Sequence, residues 1–232
     1  MIPLSDEVPR QRVPLVTYAF IAINVVVFLY ELRLGRNLNP LLMSLGAIPA
    51  RITDPLEYPL AFMTLFTSMF LHGGWMHLIG NMLYLGIFGD NVEDVLGHLG
   101  YVFFYVAAGV IAGLAQVLVA PFSSTPAIGA SGAIAGVLAV YLVLFPTAPV
   151  RVLVPTLLFM RVARVPAVFV LGMWFVIQLF NGFLSLGAQT MATGGVAWFA
   201  HIGGFVAGLV VGLVARQAKR AAYGPERYRP PW

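Results

Sequence analysis

The chain contains no cysteine. That removes disulfides, iron–sulfur clusters, thiolate metal sites and cysteine nucleophiles together. Charge is scarce: 9% of the 232 residues are charged, against roughly 25% in a soluble domain. Lys219 is the one lysine, and no phosphate-cradling glycine motif exists, so P-loop and dinucleotide sites are excluded. His-Glu-x-x-His is absent, which excludes a membrane zinc protease of that type. An intramembrane aspartyl protease requires two aspartates within spans, and the apolar segments hold none. Hydrophobic residues make up 60% of the chain, and mean hydropathy is +0.89. A soluble domain, a disordered chain and a coiled coil are thereby excluded. The apolar runs are continuous rather than alternating, which argues against a transmembrane β-barrel. The expected fold class is all-α, a polytopic membrane protein.

A span needs about 20 apolar residues. Six segments meet or approach that length, at about 15–34, 74–89, 99–119, 131–145, 166–186 and 198–215. Leu60–Leu71 is also apolar but too short, and reads as an interfacial or re-entrant helix. Six spans put ten basic residues on one side and three (Arg33, Arg36, Arg51) on the other. By the positive-inside rule both termini are then cytoplasmic. Residues 1–14 form a cytoplasmic tail and 216–232 a basic cytoplasmic tail. The net charge of +4 is a topological signal, with no nucleic-acid or nucleotide partner implied. The N-terminus does not read as a cleavable signal, because Asp6 and Glu7 precede Arg10. The outer loop at about 35–73 reads as short amphipathic pieces associated with the membrane.

Polar groups inside spans are functional candidates by default. Ser131 stands in Gly129-Ala130-Ser131-Gly132 at the mouth of the fourth span, with small neighbours that let a substrate backbone approach. His201 opens the sixth span, and His77 and Asn81 share one face of the second. Each alone has a structural reading: helix packing, a satisfied buried histidine, an interhelical clamp. The six-span layout brings them together. Spans two, four and six run in the same direction, so His77, Ser131 and His201 lie within a first turn at one depth. Gly132 and Gly136 form one small-residue stripe, and Gly204, Gly208 and Gly212 another. Packed together, these stripes bring Ser131 within reach of His201, as proton removal from an attacking hydroxyl requires. The Ser131 amide, Asn81 and His77 are candidate oxyanion donors. Fifteen residues of the fourth span rise about 22 Å, against a hydrocarbon core of about 30 Å. Ser131 therefore lies below the surface, in a water-filled cavity lined by the loop with His72 and His77. Asp90, Glu93 and Asp94 fall at the other end. The pair is expected to be a dyad, with His201 oriented by packing. His98 reads as solvated loop.

The motifs His72-x-x-x-x-His77-x-x-x-Asn81, Gly89-Asp90-Asn91-Val92-Glu93-Asp94, Gly129-Ala130-Ser131-Gly132 and Ala200-His201-Ile202-Gly203-Gly204 occur in that order, with Gly208 following. In this the chain resembles the rhomboid family of intramembrane serine proteases, in its bacterial six-span form, from about Phe70 to Leu213. The resemblance implies Ser131 as nucleophile and His201 as general base. It implies an oxyanion hole of His77, Asn81 and the Ser131 amide. His72, Gly129 and Ala130 are the expected cavity or substrate-binding residues. It implies no metal and no cofactor, with transmembrane segments of other membrane proteins as substrates. The location implied is a plasma (inner) membrane, with the site opening to the extracytoplasmic side. The fifth span would act as a lateral gate, with Trp174 and Phe175 as gate residues. One position departs: the family commonly has an aromatic four residues after the serine, and here it is Ala135. Either another aromatic holds His201, or His201 is less well held. Two alternatives compete with the protease. One is a catalytically silent rhomboid-like protein that binds membrane helices. The other is a small transporter with Asn24, Gln116, Gln178 and Asn181 along its path, although no spans are interrupted at matching places in two halves.

Overall fold

The structure is a computed structural model that describes residues 2–155, 159–187 and 197–223. The elements are β1 (Ile2–Asp6), α1 (Leu15–Leu34), α2 (Leu38–Leu45), α3 (Pro49–Ile52), α4 (Thr64–Thr67), α5 (Trp75–Val119), α6 (Ser131–Leu144), β2 (Pro149–Pro155), β3 (Met160–Pro166), α7 (Ala167–Gly187) and α8 (Trp198–Tyr223). Short 3-10 turns flank α4, so Ala61–Phe70 is a short apolar helical run.

Among the described residues, four helical stretches are long and apolar enough to cross a membrane: Leu15–Leu45, Trp75–Val119, Ala167–Leu186 and Trp198–Ala218. Two of the six expected spans fall inside α5, and α6, with 14 residues, is shorter than span length. Gly97 interrupts α5 with φ 71 and ψ 161, a backbone shape that glycine adopts without a Cβ penalty. The halves 75–96 and 98–119 run antiparallel. His77 lines a cavity with Ser131, while a Cβ on Gly132 would meet Ala112 of the second half at 2.6 Å. At the far end Phe88 packs edge-on against Tyr141 of α6, with ring centroids 4.9 Å apart.

α6 is the central helix, buried nearly all round. Its glycine stripe meets that of α8, as expected. A Cβ on Gly204 would strike the Gly132 carbonyl oxygen, and one on Gly208 the Gly136 carbonyl. In lipid such contact replaces the hydrophobic drive that joins soluble helices.

The all-α expectation needs one correction. Antiparallel strands in the order β1-β2-β3 form a three-stranded sheet at the end of the bundle away from Ser131. Residues 146–165 were expected to be loop and 1–14 tail. The physical reason is alternation: Val150 and Val152 are fully buried while Arg151 between them is exposed. Asp6 ends β1 and accepts from Tyr141 Oη at 2.6 Å and from Asn91 Nδ2 at 2.9 Å. The Glu93 carboxylate takes the amides of Val16 and Thr17 at 2.9 and 2.8 Å, satisfying first-turn donors of α1 that no local side chain caps. His98 is not simply solvated loop, because its Nδ1 lies 2.6 Å from Glu93 Oε1. α8 continues past Ala215 to Tyr223, and 224–232 of the expected tail lie outside the described residues.

Burial pushes the Asp6 carboxyl up, more than the Tyr141 hydroxyl and backbone amides pull it down. The folded state then holds this proton more tightly than the unfolded chain. Its contribution is full below the ordinary carboxylate range and is lost as pH rises through the raised value. Asp6→Asn keeps one oxygen for Tyr141 and is expected to flatten that part of the profile of melting temperature against pH. A profile of unchanged slope would contradict this.

Candidate active site

Ser131 is the first residue of α6. The segment before it is pinned by backbone bonds: Ala47 and Ala127 exchange amides at 3.0 and 2.8 Å, and the Gly129 amide reaches the Ser68 carbonyl at 2.9 Å. Ser131 Oγ lies 2.7 Å from His201 Nε2. The glycine contact between α6 and α8 sets this distance, since His201 stands one turn before Gly204. His201 Nδ1 lies 2.7 Å from Gln178 Oε1 on α7. The expectation that packing alone orients His201 is therefore corrected, because a side-chain amide bonds its second nitrogen.

The His201 ring also neighbours two tryptophans. Trp174 is at 5.9 Å and tilted by 40°. Trp198 is edge-on at 6.1 Å. Ala135 is fully buried beside Phe205, in a cluster that also takes Trp174 and Phe175. The aromatic missing from α6 thus has counterparts on α7 and α8. Phe175 stacks on Phe205 at 4.0 Å.

A cavity of about 780 Å³ is lined by Ser131, His201, His77, Asn81, Gln178, Trp174 and Trp198, with Leu42 and Gly73 from the first long loop. His77 Nδ1 accepts from the Gly73 amide at 3.4 Å. A neutral ring then carries its proton on Nε2, and a Cβ on Gly129 would lie 2.7 Å from that nitrogen and 3.6 Å from Ser131 Oγ. Asn81 Nδ2 lies 2.9 Å from His72 Nε2. The amide can donate only, so Nε2 accepts, and the second amide hydrogen remains for the cavity. The Ser131 amide, at a helix start, has no intrahelical partner. His77, Asn81 and Ser131 thus line the same cavity, and each carries a group able to donate to an oxygen that gains charge.

The three expected cavity residues are placed differently. His72 is buried behind Asn81, its amide 3.2 Å from each oxygen of the buried Glu31 carboxylate. Ala130 is fully buried and lines no part of the main cavity. Gly129 borders a pocket of about 30 Å³ behind Ser131. Its role here is to leave room for His77: φ is +122, and any side chain would meet the imidazole. Gly129→Ala is expected to displace His77 and lower any serine-dependent turnover by about tenfold or more, on the scale of one weakened oxyanion donor. Turnover equal to wild type would show that His77 stands elsewhere. Gln178, Trp198 and Glu31 take part in the site or its support without having been assigned there from sequence. Glu31, an ionisable residue inside the first apolar run, carried the plainest signal.

Apolar helices around a Ser–His pair in a cavity define a polytopic membrane protein with a candidate hydrolytic serine. The comparisons agree with that class. The rhomboid domain model matches residues 59–218, and the chain belongs to the rhomboid family, which includes serine proteases. RHOMBOID-like protein 5 of Arabidopsis thaliana is 28% identical over 192 residues, covering 83% of this chain and 55% of its own length. Rhomboid protease GluP of Bacillus subtilis (strain 168) is 34% identical over 126 residues, 54% of this chain and 24% of its own length. Rhomboid-like protein 11, chloroplastic, of A. thaliana is 40% identical over 74 residues, 32% of this chain and 26% of its own length. The chain thus spans about half or less of the length of these relatives.

Proposed function

We propose that the protein is an intramembrane serine endopeptidase that cleaves other membrane proteins in or near their transmembrane helices. The observation that carries this reading is the 2.7 Å contact between Ser131 Oγ and His201 Nε2 inside a cavity that His77 and Asn81 also line. His201 takes the hydroxyl proton as Ser131 attacks the scissile carbonyl, and later gives it to the leaving amine. The charge on the tetrahedral intermediate falls to the Ser131 amide, Asn81 and His77, assisted by the N-terminal dipole of α6. Water enters through the same cavity to release the acyl group.

In this reading the bundle has six spans. α5 supplies two of them, since 45 residues would rise about 68 Å, twice the hydrocarbon core. α6 is a short one, which supports a serine below the surface. The sheet, Arg151, Arg161 and Arg164 then lie on the cytoplasmic side and the cavity opens to the other, in a bacterial plasma membrane. Substrate helices enter from the bilayer, past α7.

The test is cleavage of a single-span reporter co-reconstituted in liposomes, with Ser131→Ala beside the wild type. Product from the wild type alone supports the protease. A reporter that is bound equally by both and cut by neither identifies a helix-binding protein instead.

A further inference from the structure

We propose that Gln178 is a positioning residue, which holds His201 in the one tautomer that can accept the Ser131 proton. This rests on the protease reading above. The amide is itself oriented: Gln178 Nε2 donates to the Trp174 carbonyl, one turn back on α7, at 3.3 Å. With its nitrogen so committed, Gln178 presents its oxygen to His201 Nδ1 at 2.7 Å. That oxygen can only accept, so Nδ1 carries the single proton of the neutral imidazole. Nε2 is left with its lone pair, 2.7 Å from Ser131 Oγ.

Both side chains are buried, Gln178 at 6% and His201 at 9% exposure. At 2.7 Å no water fits between Nδ1 and the amide oxygen, so solvent does not repair the other tautomer. That form would set a lone pair of Nδ1 against the amide oxygen and leave an acceptor unsatisfied. The amide does less than a carboxylate would. It selects the tautomer and fixes the ring, but brings no charge to stabilise the imidazolium. Among the described residues, the groups facing His201 are Ser131 from α6, His77 from α5, Trp198 from its own helix, and Trp174 with Gln178 from α7. None of them is a carboxylate. Because Gln178 stands on α7, any shift of that helix also shifts the base.

The test uses the full chain in liposomes, with Gln178→Leu and Gln178→Glu, read by kcat, KM and the pH profile. Leu keeps the volume and removes the acceptor. It is expected to lower kcat by about 10²-fold, with KM unchanged. Glu restores an acceptor and adds charge. Its kcat is expected to recover most of the loss, and its acid limb to move up by about one pH unit or more. Packing alone would not move the acid limb. A Leu variant as fast as wild type, or a Glu profile superimposed on that of wild type, overturns the proposal. If Gln178→Leu fails to fold, the Glu profile decides alone. A wild type inert toward both reporter and fluorophosphonate defeats the protease reading instead.

Discussion

Ser131→Ala, His201→Ala and the double variant are expected to lower turnover to one common floor, on the order of 10⁴–10⁶-fold below wild type. The reason is that the two side chains act as a unit. The hydroxyl is a weak nucleophile until Nε2, 2.7 Å away, removes its proton. Without the base the hydroxyl does not ionise, and without the hydroxyl the base has nothing to activate. The second substitution therefore costs nothing further. Residual rate reflects the donors around the serine, which remain in all three variants. Single-turnover cleavage in liposomes measures this directly. Losses that add in the double variant would mean that Ser131 and His201 act separately.

Gly204→Leu is expected to abolish activity by a different route. A Cβ alone at Gly204 would strike the Gly132 carbonyl oxygen. Backbone cannot rotate aside as a side chain can, so α6 and α8 must separate. Overpacking of this kind costs about 3 kcal/mol or more. Separation also carries His201 away from Ser131, since each stands within a turn of the contact. Gly172→Ala is the control, because nothing lies within 4 Å of a Cβ there. It is expected to leave activity intact and to raise stability by about 0.5–1 kcal/mol, as for glycine in a helix interior. Thermal unfolding and turnover of both variants check this. A fully active Gly204→Leu would remove the packing argument for the pair.

What was legible in the sequence followed from long-wavelength features. Apolar runs marked α1, α7 and the start of α8 within a residue, because a lipid-exposed helix must be apolar along its length. Pro146 marked the end of α6, because proline does not continue a helix. The glycine stripes of α6 and α8 predicted their contact, since only close helices need them. Ser131, His77, Asn81 and His201 were recognisable because polar groups in spans are rare. The sheet was harder to see. Val150-Arg151-Val152 and Arg161-Val162-Ala163-Arg164-Val165 do alternate, but the basic residues also read as a topological signal. Gln178 was visible as a polar residue in a span, yet its partner lies 23 positions away on another helix. No spacing rule links α7 to α8. Ala135 illustrates the same limit: its loss of an aromatic is answered by Trp174 and Trp198, and the exchange is readable only in three dimensions.

The central claim is that Ser131 is an activated serine. Fluorophosphonate labelling of the purified chain tests it without a known substrate, by stoichiometry and by the site of adduct formation. The account predicts one adduct per chain at Ser131, lost in Ser131→Ala and in His201→Ala. Absence of labelling in a folded wild type, with an active rhomboid protease labelled in parallel, would contradict it.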